Sequence, residues 1–152
     1  MRHLTPTDII QLLDREPLFR ELAQTADRLQ LECYVVGGYV RDLFLERPTN
    51  DIDIVVVGSG IAMAEALTKR LGRAAHLSVF KNFGTAQVKY HHQEIEFVGA
   101  RRESYSHDSR KPIVEDGTLE DDQMRRDFTI NALAVCLNAA RYGEVVDPFD
   151  GL

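Results

Sequence analysis

The sequence has few cysteines, no excess of basic residues and no long apolar segment, and each absence excludes a class of protein. Its 152 residues include two cysteines, Cys33 and Cys136, which are far apart and lie in apolar runs. They have no metal-ligand spacing, so we interpret them as buried free thiols in a reducing compartment. No apolar run approaches the roughly 20 residues of a membrane-spanning helix, and the first residues lack the apolar core of a signal peptide. We therefore expect a cytoplasmic protein with no membrane partner.

The charge balance is acidic, with 18 Lys and Arg against 24 Asp and Glu and a formal net charge of -6. Because domains that bind nucleic acid on their own usually carry a basic balance, this one is not expected to bind RNA or DNA strongly by itself. Apolar residues make up 44% and charged residues 28%, which is an ordinary globular composition. The length predicts one domain with its own core, and no repeat, linker or low-complexity segment is present.

The most informative stretch is YVVGGYVRDLFLERPTNDIDIVVV, residues 34–57. Its pattern predicts a strand, a glycine turn, a short helix and a second strand. Gly37 and Gly38 let the backbone approach a phosphate without a Cβ clash, and the N–H groups at the following helix start can bind its oxygens. Arg41, one turn into the helix, is placed to contact a triphosphate, and Asp42 is expected to orient an arginine. The alternative for this motif alone is a plain turn with a surface ion pair.

Asp51 and Asp53 begin the second strand and alternate with isoleucines, so both carboxylates are predicted on one face, about 7 Å apart. Magnesium prefers oxygen ligands and keeps several waters. Two such carboxylates suit a pair of ions, one acting on the attacking oxygen and one on the leaving pyrophosphate. The alternative is a solvated strand end, because an Asp-x-Asp pair is a short signal.

A third carboxylate is expected from a neighbouring strand, Glu94 to Val98. Glu96 is the favoured candidate, and Glu94 is its rival because strand alternation puts both on one face. The strand is predicted to form a hairpin with Phe83 to Tyr90 through a turn at His91-His92-Gln93.

The remaining segments are interpreted from their periodicity and their caps. The run from Ile54 to Val57 is apolar on both faces and predicts a central strand. A stripe of apolar residues on the second helix is expected to pack on the domain's own core rather than on a partner. The predicted helices are Thr5–Asp14, a helix starting at Pro17 with the stripe Leu18, Leu22, Ala26 and Leu29, Tyr39–Glu46, Ile61–Leu71 and Leu119–Leu137; the other predicted strands are Cys33–Val36, Ala75–Phe80 and Gly143–Val146; and Gly99–Gly117 is predicted as a long polar loop.

The last constellation is RRDFTINAL, in which Arg126 and Asp127 either brace the site or contact the nucleotide. A helix start with a charged first turn is the alternative. In combination, GGYVRD, NDIDIVV, EFVGAR and RRDFTINALAV resemble the signatures of a known family. That family is the tRNA nucleotidyltransferase (CCA-adding enzyme) and bacterial poly(A) polymerase family of the class II type, and the signatures are those of its N-terminal head domain. The resemblance runs from about Tyr34 to the C-terminus.

The resemblance implies an α/β (α+β) domain with the DNA polymerase beta-like nucleotidyltransferase fold, a small mixed sheet with helices packed on one side. It implies that Asp51 and Asp53 bind two magnesium ions, with Glu96 at the position of the family's third acidic residue. It also implies that Gly38, Arg41 and Arg101 contact the incoming ATP or CTP.

The activity implied is nucleotide transfer from ATP or CTP to an RNA 3′ end, with CCA addition to tRNA favoured over poly(A), A-only or CC-only addition. Transfer to a small molecule and a non-catalytic nucleotide-binding module are the other hypotheses. Residues 1–152 correspond to the head alone, and we expect the chain to continue into neck, body and tail domains. Residues 121–125 match the pattern of the family's base-selecting motif, but they precede Arg126, whereas the family's motif follows that segment. We therefore interpret the match as accidental.

Overall fold

The computed structural model describes residues 5–37, 39–40, 51–105, 112–116 and 133–146. Within these ranges two helices are followed by two strands, a third helix and then seven strands. The helices are α1 (Pro6–Asp14), α2 (Leu18–Leu29) and α3 (Gly60–Leu71), and the strands are β1 (Glu32–Val36), β2 (Asp51–Val57), β3 (Ala75–Phe80), β4 (Thr85–Tyr90), β5 (Gln93–Gly99), β6 (Arg101–Tyr105), β7 (Pro112–Asp116), β8 (Ala134–Cys136) and β9 (Val145–Val146). None of the helices in the described part is long and apolar enough to cross a membrane.

The first two helices form where the sequence supplies caps and an apolar stripe. Thr5 caps α1, because its hydroxyl accepts a hydrogen bond from the Asp8 amide at 3.1 Å while the Asp8 carboxylate accepts one from the Thr5 amide at 3.0 Å. The stripe on α2 is buried at Leu18, Leu22 and Ala26 and packs on the domain's own core, as predicted. Leu29 is 38% exposed, so the stripe is one residue shorter than expected.

The main sheet has seven strands in the order β3-β4-β5-β2-β1-β8-β9. The pair β2 and β5 is parallel, and the other neighbouring pairs in this sheet are antiparallel. The predicted mixed sheet is therefore confirmed, and β2 lies centrally between β5 and β1. Strands β6 and β7 pair with each other in a separate two-stranded sheet.

The two faces of the main sheet differ in what covers them. One face carries Ile52, Ile54 and Phe97 into the main hydrophobic core, together with buried residues of all three helices. The opposite face, here called the open face, carries the alternate residues of β2 and β5. It includes a smaller buried cluster containing Tyr34 and Val55. Helices on one face of a mixed sheet are the predicted architecture.

Both cysteines are buried free thiols, as predicted. Burial raises the pKa of Cys33 far above its ordinary value and also raises that of Cys136. Because the thiolate is the reactive form, neither side chain is primed for chemistry.

Two predicted segments are corrected. Gly99–Gly117 is not wholly a loop, since it holds the paired strands β6 and β7. A two-stranded ribbon is held by its own backbone hydrogen bonds, so it can lack the alternating apolar pattern that marks a core strand. Leu119–Leu137 is not helical to its end, because residues 134–136 form β8 between β1 and β9. A strand that is buried on both faces is apolar throughout and cannot be told from a buried helix by periodicity. Residues 117–132 lie outside the described ranges.

Smaller differences concern element ends. Gln93 belongs to β5 rather than to the hairpin turn, where it is 5% exposed and pairs with Tyr90. The turn is therefore the two residues His91 and His92, with His91 at φ +55°. The last described strand is Val145–Val146, shorter than predicted. Residues 39–40 are helical, and the rest of the predicted helix Tyr39–Glu46 lies outside the described residues.

Candidate active site

Asp51 and Asp53 lie on the open face of β2 and are exposed, while the alternate residues Ile52 and Ile54 are fully buried. The predicted sharing of one face by the two carboxylates is confirmed. Since β2 is a central strand with the core behind it, the carboxylates are presented to solvent from a rigid backbone. A rigid base of this kind suits groups that must hold a charged substrate in one place.

The glycine turn that follows β1 lies against this pair. Val36, the last residue of β1, pairs with Asp53. The next residue, Gly37, has φ +69°, and a Cβ built on it would lie 3.2 Å from Asp53 Oδ2. The turn predicted to approach a phosphate and the carboxylate predicted to hold a metal are therefore close neighbours, with no room for a side chain between them.

The helix start after the turn is anchored to the core. Tyr39 packs edge-on against Phe19 of α2, with ring centroids 5.1 Å apart, and Val40 is fully buried. Burial raises the pKa of Tyr39 to about 12, so its hydroxyl stays protonated at neutral pH. The aromatic contact holds the chain where it leaves the glycine turn.

The strand register places two more carboxylates on the open face. Glu94 pairs with Asp51 and Glu96 pairs with Asp53 in the parallel ladder of β2 and β5. Both glutamates are exposed. Glu94 also pairs with Lys89 of β4, whose Nζ lies 3.8 Å from its Oε1. A lysine ammonium therefore neutralises part of the Glu94 charge.

The side chains as placed do not form a closed metal cage. Across the described residues, no group of three or more His, Cys, Asp and Glu is arranged to hold a metal ion. The two aspartates nevertheless fit a hard divalent cation, because their exposed oxygens are the donors that magnesium prefers and the remaining ligands can be water or phosphate. Asp51 and Asp53 are the residues that would hold it, and the role of Glu96 stays a prediction.

The structure describes only one of the remaining predicted site residues. Arg101 is the first residue of β6 and pairs with Asp116. Gly38, Arg41, Arg126 and Asp127 lie outside the described residues.

Sequence reasoning missed the polar residues that extend the open face beyond the glutamates. Gln87 pairs with Glu96, and on β3 Ser78 pairs with Gln87. The sequence pattern that could have predicted them is the alternation along β4. Thr85, Gln87 and Lys89 alternate there with Ala86 and Val88, which are buried.

Comparison with known proteins shows the family to which the chain belongs. The chain matches the family model of the poly A polymerase head domain over residues 33–152. It is 44% identical over 122 residues to the A-adding tRNA nucleotidyltransferase of Aquifex aeolicus (strain VF5), covering 80% of this chain and 15% of that protein. It is 40% identical over 123 residues to a CCA-adding enzyme of Lactobacillus delbrueckii subsp. bulgaricus (strain ATCC 11842), covering 80% of this chain and 28% of that one.

Among solved structures, a tRNA nucleotidyltransferase complexed with a primer tRNA and an incoming ATP analog has a TM-score of 0.74 and 39% identity, covering 86% of this chain and 35% of that one. The sheet, its helices and the central Asp-x-Asp strand thus define the nucleotidyltransferase fold. The chain belongs to the poly A polymerase head domain family, whose members generally use divalent metal ions. It spans about 15 to 35% of the length of the proteins it matches.

Proposed function

We propose that residues 1–152 are the catalytic head of a nucleotidyltransferase that moves a nucleotide from ATP or CTP to the 3′ end of a tRNA. The observation that carries the proposal is the close approach of the Gly37 turn to the carboxylate of Asp53, which leaves no room for a side chain at residue 37. It brings a backbone suited to phosphate and a carboxylate suited to a cation to one point. Relatives named as an A-adding tRNA nucleotidyltransferase and as a CCA-adding enzyme support the choice of substrate. A cytoplasmic location belongs to the same proposal and is supported by the two free thiols.

The geometry assigns separate tasks to the described groups. Gly37 leaves room for a triphosphate beside Asp53 because it has no Cβ. Asp51 and Asp53 present negative charge on a strand that the core holds rigid, so their oxygens need little reorganisation when a cation and a triphosphate arrive. Two magnesium ions at these carboxylates would supply activation of the attacking hydroxyl and stabilisation of the leaving pyrophosphate.

The other predicted site residues belong to the same proposal. Arg41 and Arg101 contact the triphosphate, with Gly38 in the turn, and Arg126 and Asp127 brace the site. Glu96 supports Asp53 from the neighbouring strand, with which it pairs in register.

Calorimetric titration of the chain with ATP and with CTP, with and without magnesium, tests the proposal. We expect binding that requires magnesium, has similar affinity for both nucleotides and is lost in Asp51→Asn/Asp53→Asn. The matched control is Glu65→Gln, which removes an exposed carboxylate from α3 on the helix side of the sheet. Unchanged binding in the double variant would refute the site.

A second candidate is addition of the terminal adenosine alone, which the 44% identical A-adding relative favours. CCA addition extends a tRNA that lacks all three terminal nucleotides, whereas A-only addition extends a tRNA that already ends in CC. Incubating the chain with a tRNA that lacks all three terminal nucleotides and with one that ends in CC separates them. We expect extension of either primer by this chain to be slow, because the relatives it matches are several times longer.

A further inference from the structure

Helix α2 contacts the candidate active site although it precedes the family match. The matched residues begin at 33, and α2 ends at Leu29. Its Phe19 is fully buried, and the Phe19 ring meets the Tyr39 ring edge-on, with centroids 5.1 Å apart and ring planes inclined by 64°. Tyr39 is only two residues after Gly37. A side chain of α2 therefore touches the segment that leaves the glycine turn.

Phe19 is held in place from several directions. It lies in the main hydrophobic core, and its amide donates a hydrogen bond to the Glu16 carbonyl at 3.2 Å. The next residue, Arg20, donates hydrogen bonds to the Asp14 carboxylate at 2.8 and 3.0 Å, and its guanidinium lies 3.8 Å from the centroid of the Tyr142 ring. The start of α2 is thus tied both to α1 and to the link between β8 and β9, which makes Phe19 a fixed support.

The ring of Tyr39, and not its hydroxyl, makes the contact with α2. Burial and, to a smaller extent, the charge of Glu16 raise the pKa of Tyr39 to about 12, and no hydrogen bond to a described residue contributes to this shift. Edge-to-face aromatic pairs have a preferred geometry, because the positive edge of one ring points at the negative face of the other. The pair is therefore a directional contact, which packing of two aliphatic side chains would not reproduce.

The turn is short enough for the position of this ring to matter. Consecutive Cα atoms are about 3.8 Å apart, so the backbone of Gly37 can lie no more than roughly 8 Å from that of Tyr39. At the other end of the turn, Val36 pairs with Asp53 in the ladder of β1 and β2. The strand thus holds one end of the turn and the ring pair the other. Because Val40 is also buried, removal of one ring should loosen the turn without unfolding it.

We propose that Phe19 and Tyr39 are positioning residues for the triphosphate. Their contact holds the Gly37 turn at its distance from Asp53, so that the phosphate-binding backbone and the cation-binding carboxylate act on the same triphosphate. Both rings act through the turn and not on the substrate. A misplacement of about 1 Å in such a group can cost on the order of 100-fold in rate. This inference rests on the proposed function and gives α2 a part in substrate affinity.

Calorimetric titration of the 152-residue chain with ATP and, separately, with inorganic tripolyphosphate, both with magnesium, tests the positioning role. Tyr39→Leu and Phe19→Leu are each expected to weaken binding of both ligands about three- to tenfold, which corresponds to the loss of one aromatic pair. Tyr39→Phe keeps the ring and is expected to bind as the wild type does. The double variant Phe19→Leu/Tyr39→Leu is expected to lose no more affinity than either single variant, because the same contact is removed.

The matched control is Tyr90→Leu. Tyr90 is a partly buried ring on β4 that packs on the same core and contacts His91 instead of α2. This variant is expected to lose stability in urea unfolding and to keep the wild-type affinity for both ligands. Hydrogen exchange of the ligand-free chain gives a readout that does not depend on binding. Phe19→Leu should speed exchange in the peptide that spans residues 36–40 and leave exchange in β4 unchanged.

Folded Tyr39→Leu and Phe19→Leu chains that bind both ligands like the wild type would overturn the positioning role and leave the nucleotide site intact. An equal loss of affinity in Tyr90→Leu would also overturn it, because affinity would then follow overall stability. A wild-type chain that binds neither ligand would instead refute the proposed function, and this inference with it. Should Tyr39→Leu fail to fold, Tyr39→Met, which keeps an apolar side chain without a ring, decides the same question.

Discussion

The backbone of Gly37 lies against the carboxylate of Asp53. Gly37 has φ +69°, and a Cβ there would stand 3.2 Å from Asp53 Oδ2. Glycine is therefore required at residue 37 for two reasons, its left-handed backbone conformation and the lack of space for a Cβ beside the carboxylate.

Gly37→Ala is expected to destabilise the chain by about 1–2 kcal/mol and to reduce magnesium-dependent ATP binding. Gly72→Ala is the matched control, since Gly72 has φ +82° and a Cβ there would meet nothing within 4 Å. We expect the control to lose stability but to keep ATP affinity. Urea unfolding and calorimetry measure the two quantities, and equal loss of affinity in both variants would contradict the role of this close approach.

The two glutamates on β5 are expected to differ in importance. Glu96 pairs with Asp53, whereas Glu94 pairs with Asp51 and is partly neutralised by Lys89. Glu96→Gln should raise the magnesium concentration needed for ATP binding by roughly tenfold, the effect typical of a group that supports a metal ligand. Glu94→Gln should change it little. A larger effect of Glu94→Gln would make Glu94 the third carboxylate.

Asn138 joins the end of β8 to the loop before β1. Its Oδ1 accepts a hydrogen bond from the Cys33 amide at 2.8 Å, and its Nδ2 donates to the Leu31 carbonyl at 2.8 Å and to Asp27 at 2.9 Å. Asn138→Ala leaves the amide of the buried Cys33 without this acceptor and should cost about 2 kcal/mol in urea unfolding. Asn82→Ala, in the exposed turn after β3, should cost far less. Equal losses would mean that the linkage contributes nothing specific.

Asp14 should make stability depend on pH. The hydrogen bonds from Arg20, at 2.8 and 3.0 Å, hold the pKa of Asp14 below its ordinary value, and the Arg20 guanidinium lies 3.8 Å from the centroid of the Tyr142 ring. Because the folded-state pKa is lowered, the stabilisation is present above the unfolded pKa of about 3.9 and is lost as pH falls through the folded value.

Asp14→Asn should therefore reduce stability at pH 7, and the difference from wild type should shrink as pH falls below the unfolded pKa and through the folded one. Solvent screening of this exposed pair keeps the effect below about 1 kcal/mol. Unfolding by urea between pH 2.5 and 7 measures it, with Glu65→Gln as the control. A stability difference that stays constant across this range would rule out the ionic contribution.

Local patterns predicted some elements well and others badly, and the difference is physical. The capping box at Thr5, the helix that ends before Gly72 and the alternation in β2 depend on neighbouring residues, so a short window of sequence contains them. Strand β8 was predicted as helix because an apolar run has no period when both faces are buried. The pair of strands β6 and β7 was missed because backbone hydrogen bonds between the two strands hold them together. Such a pair does not need the alternating apolar pattern by which a core strand is predicted.

The sequence by itself determined that Asp51 and Asp53 share a face, because side chains alternate along any strand. It also determined that a glycine turn precedes them. Only the tertiary structure decided that β5 lies beside β2 in parallel and that Glu96 stands level with Asp53. It likewise brought Phe19 against Tyr39 and Gly37 close to the Asp53 carboxylate. Strand order and register depend on contacts between distant segments, which are chosen by the packing of the whole core and which no local pattern encodes.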